Sequence, residues 1–388
     1  MDRLPSWVEI DLDAFEWNIG RIRSLLPGRV RILLVVKADA YGHGAVRIAR
    51  QAAECGIDML GVATLDEGKE LREGGIALPV LILSPVLPEE LEEVLAYDLA
   101  VSISSYEFAV SASRASRRCG YPCTAHVEVD TGMGRAGLSA EGAADSIVGM
   151  ASLEGIRLSG IFTHFPASDS DSDFTAEQIR AFTAVVDECA ARGVAFEYVH
   201  TANSAALINF PGSHFNMVRP GLIAYGHSPS LALSERLDVI PVMSFKARLL
   251  LVRRLRAGTS ISYGRTFIAP RDMTVGVIAA GYGHGMSHRM SNRGAVLLRG
   301  RRTPIIGRVT MDMTMVDLDG FPDPAVGEEV VIFGSQRDER IDVDDVAAWD
   351  GSLNYEVLCR ISKRVVRVYM KRGRVESRKS LLGVHEEQ

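Results

Sequence analysis

The feature that most constrains the fold is an alternation of short apolar runs with longer stretches of helical periodicity between about residues 11 and 226. The apolar runs have the length and composition of strands in a parallel sheet that is buried on both faces. Eight runs are predicted as strands: 31–36, 59–63, 80–83, 100–103, 125–129, 158–163, 198–200 and 217–224.

The intervening stretches have the apolar spacing of amphipathic helices. They cover residues 14–26, 45–55, 66–73, 88–96, 106–118, 140–151, 175–192 and 203–209. The longest is expected to begin at Thr175, because Gln178 follows three residues later and completes a capping-box pattern. Eight strand–helix units in some 225 residues predict an α/β fold, a closed (β/α)8 TIM-type barrel. An open doubly wound sheet is the alternative.

The pattern changes after about residue 234. Short β-rich runs follow one another, separated by turns that contain Gly, Pro and Asp, and only 342–349 and 353–362 have helical periodicity. We therefore expect two domains: a (β/α)8 barrel over residues 1–236, and a mainly β C-terminal domain over residues 237–388.

Composition limits the class of protein. The chain has 388 residues, of which 47% are hydrophobic and 24% charged, as in ordinary globular enzymes. Its net charge of −6 argues against a nucleic-acid partner. Five scattered cysteines predict neither a disulfide framework nor a zinc site, so no metal is expected. With no apolar run of membrane length and no visible signal peptide, we expect a cytoplasmic protein without a membrane partner.

Residues that could contribute to chemistry lie in or just after the last residues of several predicted strands, at the end of the barrel where the chemistry of this fold is found. Each residue alone has an ordinary structural interpretation, such as an ion-paired lysine or a hydrogen-bonded histidine. Their convergence on one mouth is what favours a site. The residues are Lys37, Glu128, Asp130, Arg135, His164, His200, Ser204, Arg219 and Gly221.

The residue types point to one cofactor. Lys37 ends a buried apolar run, and desolvation makes a lysine lose its proton more readily. A neutral lysine amine forms Schiff bases with aldehydes. Ser204 and Gly221 lie in the loops after strands seven and eight, where barrels commonly bind phosphate. An aldehyde and a phosphate together predict pyridoxal 5'-phosphate. Arg219 near its pyridine nitrogen cannot hand over a proton, which favours a reaction limited to moving the Cα proton.

Eight stretches carry a more specific signal: VVKADAYGHG, VDTGMGRAG, FTHF, HTANSAA, MVRPGLIAYG, SYGRTF, GRVTMDMTMVD and NYEVLCRISKRVVRVY. In this order they resemble the alanine racemases, fold-type III pyridoxal-phosphate enzymes, along essentially the whole chain. The resemblance implies that Lys37 holds the cofactor and is the base on one face of the substrate. It implies that Tyr263 is the base on the other face and comes from the second subunit of a homodimer. Such a pair requires both pKa values to fall toward the working pH.

The resemblance also implies roles for binding residues. Arg219 matches the partner of the pyridine nitrogen, and His164 and His200 match histidines that connect Tyr263 and Arg219. Arg135 and Met311 match the site for the substrate carboxylate, with Met311 and Asp312 arriving from the second subunit. The positions that match phosphate ligands are Tyr41, Ser204, Gly221, Leu222 and Tyr355.

The implied activity is interconversion of L-alanine and D-alanine, with D-alanine supplied for peptidoglycan of the cell wall. A racemase for serine, lysine or a broad set of amino acids on the same scaffold remains the alternative. A decarboxylase needs a stronger electron sink than Arg219 allows. Non-enzymatic pyridoxal-phosphate-binding barrels lack the β domain that carries Tyr263 and Met311 here.

The chain departs from the family pattern at Glu128. Many members have a lysine there that CO₂ converts to a carbamate, whose negative charge positions the arginine matched by Arg135. We hypothesise that the Glu128 carboxylate orients Arg135 directly or through a water. Smaller departures, none of which removes a catalytic group, are Thr310, His284 and Val366.

Overall fold

The computed structural model describes residues 4–28, 30–233 and 236–386. Its first sheet is made of parallel strands, each hydrogen-bonded to the next along the chain. The fourth strand pairs with the fifth through Ile103 and Val127, and the eighth returns to the first through Met217 and Arg31. The strands of the circuit are Arg31–Val35, Met59–Val62, Val80–Ile82, Ala100–Ile103, Cys123–Asp130, Ile156–Phe162, Tyr198–His200 and Met217–Val218, and the short strand Leu138–Ser139 pairs with Cys123–Asp130 outside it. This closed circuit confirms the predicted barrel and excludes the open sheet.

Helices alternate with the barrel strands and cover their outer faces. The strands are buried on both sides, so residues such as Ile32, Leu33 and Leu34 are all inaccessible to solvent. The helices are Leu12–Ser24, Ala45–Glu54, Leu65–Glu73, Leu91–Ala96, Tyr106–Cys119, Ala143–Ala151, Ser172–Ala191 and Ser204–Asn209. No helix in the described part of the chain combines the length and apolar character that a membrane span requires.

Two local predictions in the barrel were wrong. The long helix begins at Ser172, because Asp171 caps it by accepting a hydrogen bond from the Phe174 amide at 3.0 Å. Thr175 lies inside the helix, so its predicted capping box does not form. The eighth strand ends at Val218 and not at residue 224, because Pro220 has no N–H for the sheet and the chain turns into the 3₁₀ helix Leu222–Tyr225.

The rest of the chain is mainly β, as predicted. Its strands are Ser6–Asp11, Met243–Leu255, Ser260–Ile261, Phe267–Ile268, Met273–Ile278, Ala295–Leu298, Arg301–Pro304, Thr314–Asp317, Glu329–Gln336, Glu339–Ile341, Val366–Lys371, Arg374–Ser380 and Gly383–Glu386. Two α-helices accompany them, Val343–Asp350 and Asn354–Cys359, close to the two predicted helical stretches.

The N-terminal strand Ser6–Asp11 was not predicted. It runs antiparallel to Met243–Leu255 and parallel to Val366–Lys371, with Val8 opposite Phe245 on one side and Arg367 on the other. The described residues of 1–15, 41–44 and 241–388 form one compact unit, and those of 16–40 and 45–240 form the other. The first unit is called the β-rich unit below and the second the barrel unit. The boundary at residues 236 and 237 stays a proposal of the sequence.

Candidate active site

Lys37 lies between the end of the first barrel strand and a left-handed turn. Val36 still donates to the carbonyl of Gly61 at 2.8 Å, and the half-buried Lys37 follows. The next four residues, Ala38 to Tyr41, all have φ between 52° and 54°. L-residues in this left-handed region cost about 1–2 kcal/mol each, so the surroundings must stabilise the turn. Asp39 contributes by accepting a hydrogen bond from the Ala45 amide at 2.8 Å.

Arg219, at the end of the eighth strand, is buried and held by the barrel. Its Nη1 donates to the carbonyl of His200 at 2.8 Å and lies 2.8 Å from His200 Nδ1. Its Nη2 donates to the carbonyls of Thr163 at 2.7 Å and Thr201 at 3.1 Å. Burial lowers the pKa of Arg219 to about 10, so the guanidinium is still protonated at neutral pH. Within the described chain, the Nε–H is the one donor of Arg219 without an acceptor.

Two histidines extend this group into the barrel. His200 Nε2 lies 2.7 Å from Nδ1 of His126, and both rings are inaccessible to solvent. His200 also stacks on Phe162, with ring centroids 5.0 Å apart. Burial lowers the pKa of His126 to about 3 and that of His200 well below its usual range, and the charge of Arg219 acts in the same direction. Both imidazoles are therefore neutral near pH 7.

His164 follows the sixth strand and lies beside the same arginine, with Nδ1 3.5 Å from Arg219 Nη2. Burial lowers its pKa to about 3, and the positive charges of Arg219, Arg135 and Lys37 contribute in that order. The three cations that the sequence placed at the barrel mouth thus act together on one neutral histidine.

Ser204, Gly221 and Leu222 come together after strands seven and eight. The Gly221 amide donates to Ser204 Oγ at 3.1 Å, and all three residues are buried. Ser204 begins the helix Ser204–Asn209, and Leu222 begins the 3₁₀ helix that follows Gly221. Backbone amides at the first turn of a helix lack intrahelical acceptors, so two sets of N–H groups are available beside one hydroxyl. This combination fits a phosphate group.

The loop after the fifth strand is shaped by Asp130. Its carboxylate accepts hydrogen bonds from the amides of Gly132, Met133 and Gly134 at 2.8–3.2 Å. Burial by itself would raise the pKa of Asp130, but these donors and the charge of Arg135 outweigh it and the pKa is lowered. The carboxylate thus stays ionised and holds the turn that leads to Arg135.

Glu128 is almost fully buried, with 3% of its surface exposed, and accepts a hydrogen bond from Ser104 Oγ at 3.2 Å. Burial raises its pKa, and the charge of Arg135, the Ser104 hydroxyl and the charge of Arg219 oppose the shift. Over the described residues Glu128 forms no direct ion pair with the exposed Arg135. The direct form of the orienting contact is therefore absent, and the water-mediated form stays a hypothesis.

The remaining predicted residues belong to the β-rich unit. The rings of Tyr41 and Tyr355 lie 6.1 Å apart between centroids, and burial together with Tyr355 raises the pKa of Tyr41. Tyr263 is 72% exposed and Met311 51% exposed. Asp312, next to Met311, pairs with Arg364 at 2.8 Å.

The structure thus divides the predicted site residues into two groups. The barrel unit contains Lys37, Arg135, His164, Ser204, Arg219, Gly221 and Leu222, whereas the β-rich unit contains Tyr41, Tyr263, Met311 and Tyr355. Sequence reasoning missed His126, although it lies two residues before Glu128 and therefore on the same face of the fifth strand. It also missed the carbonyls of Thr163 and Thr201, since backbone acceptors leave no signal in a sequence.

A barrel with a lysine after its first strand, a hydroxyl and amides for a phosphate, and an arginine with one free donor fits pyridoxal 5'-phosphate. These features define a pyridoxal-phosphate enzyme of the barrel type.

Comparison with known proteins then gives the family. Residues 10–229 match the alanine racemase N-terminal domain, and residues 242–369 match the alanine racemase C-terminal domain. The chain belongs to the alanine racemase family, whose enzymes are isomerases that use pyridoxal 5'-phosphate.

Individual relatives agree along nearly the whole chain. The chain is 42% identical to an alanine racemase of Desulfovibrio desulfuricans over 94% of this chain and 98% of the relative. It is 40% identical to alanine racemase 2 of Caldanaerobacter subterraneus subsp. tengcongensis over 98% of both. The solved alanine racemase of Clostridium difficile 630 superposes with a TM-score of 0.95 at 35% identity, covering 98% of this chain and 99% of that structure.

Proposed function

We propose that the protein interconverts L-alanine and D-alanine, with Lys37 and Tyr263 as bases on opposite faces of the substrate. The relatives named above carry the name alanine racemase, and one solved relative from Bacillus anthracis contains L-Ala-P. The observation that carries the proposal is the arrangement of Arg219, because it limits what a cofactor in this barrel can do.

Four of the five N–H groups of Arg219 face acceptors of the barrel, which leaves the Nε–H for the pyridine nitrogen of the cofactor. With a pKa of about 10, Arg219 stays protonated near pH 7 and acts as a donor that does not release its proton. Bound pyridoxal 5'-phosphate withdraws electrons from the Cα of an amino acid, and an unprotonated ring does so weakly. This weak electron withdrawal is enough for removal and return of the Cα proton, and it disfavours decarboxylation.

Other residues of the barrel unit bind the cofactor phosphate and orient the substrate carboxylate. Ser204 Oγ and the amides near Gly221 and Leu222 hold the phosphate. Arg135 binds the substrate carboxylate together with Met311 of the partner subunit. Glu128 supplies a negative charge that limits repulsion between Arg135 and Arg219.

The second base requires a second subunit in this proposal. Tyr263 lies in the β-rich unit with most of its surface exposed, and so do other large apolar side chains of that unit. Exposed aromatic and methionine side chains are enriched at protein–protein interfaces. Those of the β-rich unit include Tyr263, Tyr282, Met311 and Met313. We infer a homodimer in which Tyr263 of the partner subunit faces the substrate held at Lys37.

We place the enzyme in the cytoplasm, where its D-alanine serves peptidoglycan synthesis. Racemisation of serine, lysine or a broad set of amino acids on the same residues is the alternative. It differs from the proposal only in substrate range.

The test is an assay coupled to D-amino-acid oxidase with L-alanine, L-serine and L-lysine as separate substrates. We expect the highest kcat/KM with L-alanine and losses of at least about 10³-fold in both Lys37→Ala and Tyr263→Phe. Full activity in either variant would refute the two-base assignment. A higher kcat/KM with L-serine or L-lysine than with L-alanine would show that this other amino acid is the preferred substrate. The absorbance of lysine-bound cofactor, lost in Lys37→Ala, tests the cofactor separately.

A further inference from the structure

The first four residues of the left-handed turn after Lys37, Ala38 to Tyr41, include no glycine, so contacts outside them must hold them in place. One such contact comes from the helix after the second strand. Glu67 Oε1 accepts a hydrogen bond from the Ala38 amide at 2.7 Å. We propose that Glu67 is a positioning residue for Lys37, which acts by fixing the peptide unit that follows the lysine. The inference rests on the proposed function, in which Lys37 holds the cofactor.

The same carboxylate has a second backbone partner. Glu67 Oε2 accepts from the Ala63 amide, also at 2.7 Å. Ala38 and Ala63 follow the first and second barrel strands, which are neighbours paired through Val35 and Gly61. One carboxylate therefore joins the chain segments that leave two adjacent strands at the mouth of the barrel. Hydrogen bonds to an ionised acceptor are stronger than those between neutral groups.

Glu67 is itself held by a rigid element. It is the third residue of the helix Leu65–Glu73, and its amide donates to the capping hydroxyl of Thr64 at 3.3 Å. A glutamate at this position in a capping box normally binds the amide of the capping residue. Glu67 instead binds Ala63, one residue earlier, and Ala38 on the neighbouring segment. The departure from ordinary capping indicates that this carboxylate serves the Lys37 turn.

The consequence for Lys37 follows from its two neighbours. Val36 is fixed by its hydrogen bond to Gly61, and Ala38 is fixed by Glu67. The direction in which the Lys37 side chain leaves the backbone is thereby set from both sides. A lysine that must meet an aldehyde carbon in one orientation gains from such preorganisation.

The test compares Glu67→Ala and Glu67→Gln with Asp66→Asn in the holoenzyme. Asp66 is exposed, lies in the same first helical turn, and its replacement removes the same charge as Glu67→Gln. Two quantities are measured: hydrogen exchange of the Ala38 amide, and the dissociation constant of pyridoxal 5'-phosphate from its lysine-bound absorbance. In Glu67→Ala we expect faster exchange and a dissociation constant raised roughly tenfold. Glu67→Gln keeps one acceptor, so we expect its dissociation constant to rise about threefold. The dissociation constant of Asp66→Asn should stay within about twofold of the wild-type value.

Unchanged Ala38 exchange in Glu67→Ala, or a dissociation constant equal to that of Asp66→Asn, would overturn the inference. If Glu67→Ala does not fold, the comparison of Glu67→Gln with Asp66→Asn decides in the same way. Failure of the proposed function gives a different result, because the lysine-bound absorbance would then be absent from the wild type or retained in Lys37→Ala.

Discussion

His200 accepts a hydrogen bond from Arg219, with Nδ1 2.8 Å from Nη1 of the arginine. A guanidinium has only donors, so the Nδ1 of His200 must present its lone pair. The proton of the neutral His200 ring is then on Nε2, which donates to Nδ1 of His126 at 2.7 Å. The proton of His126 is therefore on its own Nε2, a buried atom without a partner among the described residues. A single arginine thus fixes the tautomers of two rings.

This order of protons is testable by nitrogen NMR of the histidine rings. In the wild type we expect an unprotonated Nδ1 and a protonated Nε2 in both His126 and His200. Because the pKa of His126 is lowered to about 3 and that of His200 lies well below 6.5, the pattern should persist from pH 8 to pH 5. A proton on Nδ1 of His200 would contradict the assignment.

Stability should fall in acid because of the buried histidines. His126 and His164 have folded-state pKa values of about 3, below the 6.5 of an unfolded chain. Below pH 6.5 the histidines bind protons in the unfolded chain but not in the folded chain, so the free energy of unfolding decreases as the pH falls. Each histidine contributes roughly 2 kcal/mol of loss between pH 8 and pH 5. Denaturant unfolding of His126→Asn should show a correspondingly smaller pH dependence. An identical slope in the variant would show that His126 is protonated in the fold.

Gly160 makes room for the His126 ring. A Cβ at Gly160 would lie 2.5–2.7 Å from three atoms of that imidazole, which is too close for a rigid ring. We expect Gly160→Ala to destabilise the protein by about 1–3 kcal/mol in chemical denaturation. Gly20→Ala is the control, since Gly20 lies inside the helix Leu12–Ser24 and no atom beyond its chain neighbours and the nearby helix backbone would lie within 4 Å of a Cβ there. There alanine should stabilise by about 0.5–1 kcal/mol. Equal stabilities of the two variants would contradict the tight packing at Gly160.

Replacing Glu128 with glutamine should change two measured quantities: the pH dependence of stability and the KM for alanine. Burial raises the pKa of Glu128, so the folded state keeps the proton to higher pH than the unfolded state does. The wild type therefore loses stability as pH rises through this pKa, and the glutamine variant does not. We expect the variant to gain in relative melting temperature from pH 4 to pH 7. Its KM for alanine should rise roughly tenfold as Arg135 loses a negative neighbour. Unchanged kinetics would show that Glu128 does not orient Arg135.

Subunit mixing tests the shared site. Lys37→Ala and Tyr263→Phe chains are each expected to be inactive alone. If Tyr263 acts across the interface, a mixed dimer has one intact site and one site with both lesions. An equal, fully exchanged mixture should then recover about one quarter of wild-type activity, because half the dimers are mixed and each has one intact site of two. No recovery after confirmed exchange would place Tyr263 in the same chain as its substrate.

Local patterns in the sequence were enough for several conclusions. The apolar runs and helical periodicities predicted the eight strands, and the polar residues that follow them predicted the positions of Lys37, His164 and Arg219. The change in sequence pattern after about residue 234 predicted the mainly β C-terminal part of the chain. Such patterns depend on neighbours a few residues apart, so a sequence displays them directly.

Tertiary structure decided the rest. It closed the sheet by pairing Met217 with Arg31, and it placed the strand Ser6–Asp11 among strands more than two hundred residues away. It brought the carbonyls of Thr163 and Thr201 to Arg219, and the carboxylate of Glu67 to the amide after Lys37. These contacts join backbone groups that every residue possesses, and only the fold determines which of them meet.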